Sequence, residues 1–228
     1  MPVIYPTADG MVGKQRINFL GGAYNDIRAN DTYTLDYGFS NTGTSGDIQV
    51  KAGLSGLTGY LTRAILSFDT SGITATPQSA TLNIKGSSHK QADLIVISAT
   101  LADSSQVQAA DFWNNSTANS ATAYSSEIEM SGWSTAGYNT ITLNAAALSQ
   151  MTSADVFTVG VVSHDYDHDY SDPGATTTFD QKTRVIFSDT SGTSQDPYLD
   201  YTEATTGLPK NLIINSGHFQ IKSGKISF

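Results

Sequence analysis

Residues that could bind a metal ion are concentrated in one short run, Ser163-His164-Asp165-Tyr166-Asp167-His168-Asp169-Tyr170-Ser171-Asp172-Pro173. Carboxylates are the ligands that calcium prefers, and imidazoles are common ligands of zinc. If the run is extended, Asp165, Asp167 and Asp169 share one face, with neighbouring carboxylates roughly 6.6 Å apart along the strand. That spacing is wide for one cation, so a calcium site on these three aspartates would need a curled loop.

Two known metal-binding patterns do not fit this run. An EF-hand loop has Gly at its sixth position and a bidentate Glu at its twelfth, where this sequence, counted from the first aspartate of the run, has Tyr170 and Thr176. The two histidines have the i, i+4 spacing of zinc-binding helices, but a helix is disfavoured beside a proline and so many aspartates. We therefore expect a solvated strand end with local hydrogen bonds, and calcium on the three aspartates is the alternative.

Aromatic side chains form a second kind of candidate site, because sugars stack on exposed rings. The candidate ligand-binding residues are Trp113, Tyr166 and Tyr170. Trp113 is the first choice among them. It follows Phe112 in an otherwise polar segment, residues 102–127, and two large rings there predict an inserted loop that is anchored by its aromatic side chains.

The sequence offers little for catalysis. It has no cysteine and no G-x-S-x-G motif, and the two remaining histidines, His89 and His218, fall in a predicted loop and in the C-terminal tail, so a serine hydrolase is not expected. It also has no phosphate-binding or dinucleotide-binding fingerprint. Any two of the 21 acidic residues could form a glycosidase pair, but none is singled out. We predict a protein that is not an enzyme and that has no cofactor apart from the calcium ion considered above.

β-Strands must position these residues. In residues 60–68, apolar side chains alternate onto both faces of an extended chain, which predicts a central strand covered on both sides; Asp69-Thr70-Ser71-Gly72 then forms a turn. Arg63 in such a strand is expected to be paired structurally. Residues 156–162 are β-branched and apolar on both sides, which predicts a second buried strand opposite the first. Leu66 and Val159 should then lie between two layers.

Other segments predict further strands and one short helix. Residues 1–20 are expected to be irregular with a short first strand, and residues 86–91 to form a polar loop. Asn144 is a plausible N-cap for a helix over residues 145–151. Strand signals recur at about 8 to 12 residues, which is typical of sandwiches and barrels. We predict an all-β fold, a two-sheet antiparallel jelly-roll sandwich, with further strands near residues 33–39, 47–52, 80–84, 94–101, 138–144, 184–187 and 198–201.

The sequence divides into a jelly-roll domain, residues 1–203, and a C-terminal tail, residues 204–228, that reads as strand, turn, strand over residues 211–222. The tail has three lysines and no acidic residue, a charge of +3. Since the whole chain carries −9, the preceding residues carry −9 − 3 = −12. A basic tail on an acidic body favours attachment or oligomerisation. The candidate partner-binding residues are Lys210, Leu212, Ile214, Phe219, Ile221 and Lys222.

The sequence gives no sign of nucleic-acid binding, of a membrane helix or of a secretion signal. With 12 basic against 21 acidic residues, the surface repels phosphate backbones, so nucleic-acid binding is not expected. No stretch approaches the roughly 20 apolar residues of a membrane helix. The N-terminus lacks the basic start and apolar stretch of a secretion signal, so export by that route is not expected.

The segment Arg63-Ala64-Ile65-Leu66-Ser67-Phe68-Asp69-Thr70-Ser71-Gly72-Ile73, followed by Ser79-Ala80-Thr81-Leu82-Asn83-Ile84, resembles the "R-x-x-L-x-F-D-T-S-x-I … S-A-T-L-x-I" core of the DNRLRE-like jelly-roll domains. These carbohydrate-binding-module-like β-sandwiches occur in virion proteins of tailed phages and in bacterial surface proteins. The resemblance covers residues 3–203, and it implies that Trp133 packs in the core or at a hinge. Further similar segments are residues 4–10, 133–139, 165–170 and 191–201.

The resemblance implies a virion structural protein of a tailed bacteriophage, made in the host cytoplasm and located on the virion surface. Because the predicted sandwich begins almost at Met1, with no preceding shaft, we expect a capsid decoration protein whose partners are other virion proteins, either major capsid or tail proteins. Family members in phage coats also suggest a homo-oligomer, specifically a closed trimer. The alternative is a tail-fibre or adhesin module that binds a host surface glycan.

Overall fold

The computed structural model describes residues 2–16, 27–28, 34–36, 44–52, 59–90, 92–114, 118–171, 179–188, 192–204, 220–222 and 225–227. Two α-helices of the described residues are α1 (Asp111–Asn114), in the segment after β7, and α2 (Ala145–Ser153), which packs on the core. Strands dominate the described residues: β1 (Val3–Ile4), β2 (Pro6–Arg16), β3 (Thr34–Asp36), β4 (Ser45–Ala52), β5 (Gly59–Asp69), β6 (Ser79–Lys90), β7 (Leu94–Ser98), β8 (Tyr138–Thr142), β9 (Val156–Ser163), β10 (Phe179–Ile186), β11 (Tyr198–Thr202), β12 (Gln220–Lys222) and β13 (Lys225–Ser227).

Eleven of these strands form one antiparallel sheet that curls into two layers. The hydrogen-bonded order is β1-β11-β6-β10-β4-β5-β2-β3, with β8 beside β6 and β9 between β5 and β7. Strand β6 belongs to both layers: its first part lies between β8 and β11, and its second part, from Gly86, pairs with β10. The register shifts between Arg184 and Val185 of β10, next to this change of layer, and such irregularities bend a strand.

The main core lies between the layers. It joins Leu66 and Val159, on β5 and β9, to Leu82, Ile141 and Leu199 on the other layer, and all five side chains are buried. Burying one such side chain contributes about 1.5–3 kcal/mol. The predicted all-β sandwich is confirmed. The predicted placement of the two buried strands opposite each other is wrong, because β5 and β9 are hydrogen-bonded neighbours in one layer.

Strand β5 is central, as its pattern predicts. It pairs with β2 along one edge and with β4 and β9 along the other. One face contributes Ala64, Leu66 and Phe68 to the main core, and the other contributes Leu61 and Ile65 to a second buried cluster. A strand buried on both faces must satisfy any polar side chain it carries within the protein.

The N-terminal region and the 86–91 segment differ from prediction. Residues Pro6–Arg16 form a long strand paired with β5 where irregular chain was expected, because Gly10 and Gly13 remove the alternation by which a strand is recognised. Residues up to Lys90 continue β6 where a loop was expected, because β10 supplies hydrogen-bond partners to a polar sequence.

Local signals predict the short helix correctly. The side chain of Asn144 accepts hydrogen bonds from the N–H groups of Ala146 (3.0 Å) and Ala147 (3.1 Å), and its amide donates to the carbonyl of Ala123 (2.7 Å). Ala147 and Met151 of α2 are buried in the main core. Among the described residues, no helix has the length and apolar character that a membrane span requires.

The described part of the C-terminal tail is a β-hairpin. β12 and β13 form a separate two-stranded sheet in which Ile221 is the register partner of Ile226, and Lys222 that of Lys225. This hairpin lies further along the chain than the predicted one, of which only Gln220, Ile221 and Lys222 fall within the described residues. Four candidate partner-binding residues lie outside the described residues: Lys210, Leu212, Ile214 and Phe219.

The close packing of Gly86 against Trp133 gives a test of the core. Trp133 is buried in the main core, as its motif implies, and a Cβ on Gly86 would overlap its indole Nε1 and the Ser134 carbonyl oxygen. We expect Gly86→Ala to lower the free energy of unfolding by about 1–3 kcal/mol in urea denaturation. Gly72→Ala is the matched control, since no atom lies within 4 Å of its added Cβ. Equal stability of the two variants would contradict this packing.

Candidate functional site

The acidic run forms a π-helical turn, His164–His168, that follows β9 directly. The N–H of Asp169 donates to the carbonyl of His164, and that of Ser171 to the carbonyl of Asp165, both at 2.9 Å. The predicted extended conformation is therefore wrong. Helical propensity in this run is low, and the turn is held by a tertiary contact that outweighs it.

That contact is a buried ion pair between Asp167 and Arg63. Both carboxylate oxygens of Asp167 accept from the guanidinium, at 2.6 Å from Nε and 2.7 Å from Nη2, and the two side chains are 0% and 1% exposed. The remaining Nη1 donates to the Phe112 carbonyl (3.0 Å), and the guanidinium lies 4.3 Å from the Phe112 ring centre. The expected structural pairing of Arg63 is confirmed, and Asp167 is its partner.

The inserted loop after β7 is fastened beside this pair. The Phe112 ring is fully buried in the second cluster, so the predicted anchoring by an aromatic ring is confirmed for this residue. Asp111 is also buried, and its carboxylate accepts from the N–H groups of Ala102 (2.8 Å) and Gln108 (2.7 Å). Trp113 belongs to α1, but its side chain lies outside the described part of the structure, so its role in ligand binding stays a prediction.

Arg28 holds the end of the π-helical turn. Tyr170 has φ = 57°, a left-handed conformation that costs roughly 1–2 kcal/mol for a residue with a Cβ and is usually taken by Gly at this position. The guanidinium of Arg28 lies 4.3 Å from the Tyr170 ring centre and donates to the carbonyls of Ser171 (3.0 Å) and Tyr166. These contacts offset the backbone strain.

The other candidate tyrosine of the run, Tyr166, is partly buried against the second cluster. Burial raises its pKa, and the nearby carboxylates of Asp165 and Asp93 raise the pKa further. The predicted ligand-binding roles of Tyr166 and Tyr170 stay predictions. Both rings are held by contacts within the protein.

The turn brings two histidines and three carboxylates together. The His164 and His168 rings are stacked, with centres 5.9 Å apart and planes at 15°. On one side of His164, Nδ1 lies 3.0 Å from Asp165 Oδ1 and 3.4 Å from Glu127 Oε1; on the other, Nε2 lies 3.7 Å from Asp169 Oδ2. His168 Nδ1 lies 2.7 Å from Asp169 Oδ1. These groups make a compact polar site at the end of β9.

Two sets of side chains in the described residues have metal-binding atoms that converge within 4.8 Å: His164, His168 and Asp169, and Glu127, His164 and Asp165. Both sets exclude Asp167, whose oxygens are taken by arginine. The three aspartates of the predicted calcium site are therefore divided between different contacts. Glu127 was not predicted, because it lies 37 residues before His164 in an irregular segment and its neighbours in the sequence give no sign of a site.

An open cavity of about 540 Å³ adjoins the turn. Four carboxylates line it, those of Asp93, Glu127, Glu129 and Asp165, together with His89. Its charge favours cations or hydroxyl-rich ligands over anions. These carboxylates come from three separate segments of the chain, so their convergence is a product of the fold and is not visible in the sequence.

A cluster of three tyrosines lies elsewhere, on the layer that contains β1, β8 and β11. The ring centre of Tyr198 is 5.1 Å from that of Tyr138 and 6.2 Å from that of Tyr5, which is 41% exposed. The Tyr138 hydroxyl donates to the Asp196 carbonyl (3.0 Å), and burial raises the Tyr138 pKa, with further increases from Tyr198, Asp196 and Tyr5. This aromatic surface was also missed, since its members are far apart in the sequence.

The buried pair predicts a large effect of a small substitution. Asp167→Asn leaves the Arg63 charge buried without its partner, so we expect the free energy of unfolding to fall by about 3–5 kcal/mol in urea denaturation. The double variant Arg63→Met/Asp167→Leu removes both charges, and we expect it to recover most of that loss.

The Arg184–Asp47 pair is the matched control. It has the same bidentate geometry, at 2.7 and 2.8 Å, but Arg184 is 46% exposed. We expect Asp47→Asn to cost at most about 1 kcal/mol. Similar losses for Asp167→Asn and Asp47→Asn would show that burial does not govern the energetics of the Arg63 pair.

No protein-family model matches this chain, and no curated protein matches it. The resemblance of the segment around Arg63 to the DNRLRE-like domains therefore stays a prediction from its motif. A function for this chain has to be argued from its own fold and residues.

Proposed function

We propose that this chain is a non-enzymatic structural protein of a tailed bacteriophage, made in the host cytoplasm and placed on the virion surface as a capsid decoration protein. In this proposal the sandwich is the exposed body, and the C-terminal hairpin attaches it. One observation carries the proposal: among the described residues, β12 and β13 pair with each other and with no strand of the eleven-stranded sheet. The motif resemblance supports the phage setting.

A hairpin of this kind needs a partner surface. Two strands alone are at best marginally stable in water, and an edge strand can add to the sheet of another molecule. The tail has a charge of +3 and no acidic residue, and Lys222 and Lys225 are register partners in its hairpin. An acidic surface is the partner that this charge favours.

A second copy of the chain offers such a surface. The residues before the tail carry a charge of −12 and the tail a charge of +3, so the tail of one copy and the body of the next attract each other. A head-to-tail contact closes into a ring where the rotation between copies permits closure, and a homo-oligomer such as a closed trimer would have that geometry. The major capsid protein or a tail protein is the further partner.

The second candidate function is that of a tail-fibre or adhesin module that binds a host surface glycan. The tyrosine surface favours it, since Tyr5 is exposed and lies in ring contact with Tyr198, which in turn contacts Tyr138. Sugars stack on such rings through their C–H groups. The rings are tilted by 56° and 68° to one another, which suits a single curved chain better than a flat polysaccharide surface.

Charge reversal in the hairpin tests the first proposal. In sedimentation velocity, we expect the full chain to be an oligomer and Lys222→Glu/Lys225→Glu to be a monomer with an unchanged circular dichroism spectrum, because the tail then repels the acidic body. Lys85→Glu is the control; this lysine lies on the sandwich and donates to Gln195 (3.0 Å). Phage particles decorated by antibody to this chain would support the virion location.

An oligomer that survives the double reversal would contradict attachment through the hairpin, and antibody that labels no particle would contradict the virion location.

A glycan array tests the second candidate. If the tyrosine surface binds glycans, we expect Tyr5→Ala to weaken binding about 2- to 12-fold, since one stacked ring contributes roughly 0.5–1.5 kcal/mol. Val3→Ala, at an exposed neighbouring position that is 45% accessible, should leave binding unchanged. Absence of any glycan binding, together with binding to capsids, would remove this candidate.

A further inference from the structure

We propose that His164, His168 and Asp169 bind one divalent transition-metal ion of the zinc class. One ring nitrogen from each histidine and one oxygen of Asp169 lie within 4.8 Å of one another. Zinc bonds of about 2.0–2.2 Å place two ligand atoms of a tetrahedral ion roughly 3.3 Å apart. His164 Nε2 and Asp169 Oδ2, at 3.7 Å, need to move only a few tenths of an ångström to meet that requirement.

The other nitrogen of His164 has the support that a metal ligand needs. Its Nδ1 lies 3.0 Å from Asp165 Oδ1 and 3.4 Å from Glu127 Oε1. A histidine that binds a metal almost always donates its second N–H to a carboxylate or carbonyl, which fixes the tautomer and turns the other lone pair toward the ion. Glu127 lies on a different segment, so this support comes from the fold and not from the turn alone.

One tautomer of His164 favours a cation at this position. In the tautomer whose Nδ1–H points at a carboxylate, the lone pair of Nε2 faces the Asp169 carboxylate at 3.7 Å. Two acceptors in that position repel each other unless a positive charge lies between them. A divalent ion satisfies both at once.

The donor set selects the class of metal. Two imidazoles and one carboxylate suit zinc, cobalt, nickel or copper, whereas calcium takes six to eight oxygen ligands. Of the three aspartates predicted to hold calcium, Asp167 has both oxygens accepting from Arg63, so the three do not form that all-oxygen site together. The ion expected here therefore differs from the calcium ion that the acidic sequence suggests.

The ligands are held in place before any ion binds. Asp167 lies between the two histidines in the sequence and fixes the π-helical turn to Arg63 on β5. Asp169 follows the turn, and its backbone N–H donates to the His164 carbonyl at 2.9 Å. Little ordering of the chain is required on binding, which favours affinity.

Calorimetric titration tests the proposal. The full chain, purified without a polyhistidine tag and stripped with EDTA, is titrated with zinc chloride and separately with calcium chloride. We expect one zinc ion per chain and weaker or no calcium binding. His168→Ala and the isosteric Asp169→Asn each remove a ligand and should weaken zinc binding at least about tenfold. Asp165→Asn removes only a supporting carboxylate, and it should weaken zinc binding by at most about 100-fold and by less than either ligand variant. His89→Ala, an exposed histidine beside the neighbouring cavity, should leave the affinity unchanged.

Cobalt substitution gives an independent measure. We expect visible absorption of tetrahedral Co²⁺ in the intact chain and its loss in His168→Ala. Circular dichroism verifies that each variant is folded. Zinc binding that persists in His164→Ala/His168→Ala, no zinc binding by the intact chain, or tighter binding of calcium than of zinc would each overturn the proposal.

Discussion

The buried charge pair of Arg63 and Asp167 is the constraint on which the rest of the site depends. Two opposite charges without water are tolerable only if every hydrogen-bonding group of both is satisfied, so the positions of their neighbours are fixed too. Both oxygens of Asp167 accept hydrogen bonds from Arg63 Nε and Nη2, and Arg63 Nη1 donates to the Phe112 carbonyl. One side chain thereby ties together the central strand, the inserted loop and the π-helical turn. Breaking the pair would leave a buried charge without a partner, so the three elements are held in the one arrangement that keeps it intact.

The chemistry at the surface follows from that anchoring. A run with poor helical propensity turns through one π-helical turn, and the turn stacks two imidazoles that an extended strand would keep apart. The strain at Tyr170 persists because Arg28 binds the ring and the adjacent carbonyls. The buried residues therefore determine which polar atoms meet at the surface.

The sequence predicts elements that are determined by neighbouring residues. It does not predict conformations that depend on contacts with distant residues. Alternating apolar side chains on residues 60–68 and the Asn144 cap are read within a few positions, and both elements are found as predicted. Strand β2 is not recognised because its glycines leave gaps in the pattern, and only pairing with β5 makes it a strand. The acidic run is correctly singled out, but its conformation depends on an arginine 104 residues away. Glu127 and the three tyrosines have no local signature, since they become neighbours only in the folded chain.

Strand β6 has a mechanical consequence. Because its backbone runs without interruption from one layer into the other, a force that pulls on either layer is carried through covalent bonds into its counterpart. The layers cannot slide past each other unless the ladders of β6 with β8, β10 and β11 rupture together. We therefore expect the two layers to resist shear as one unit.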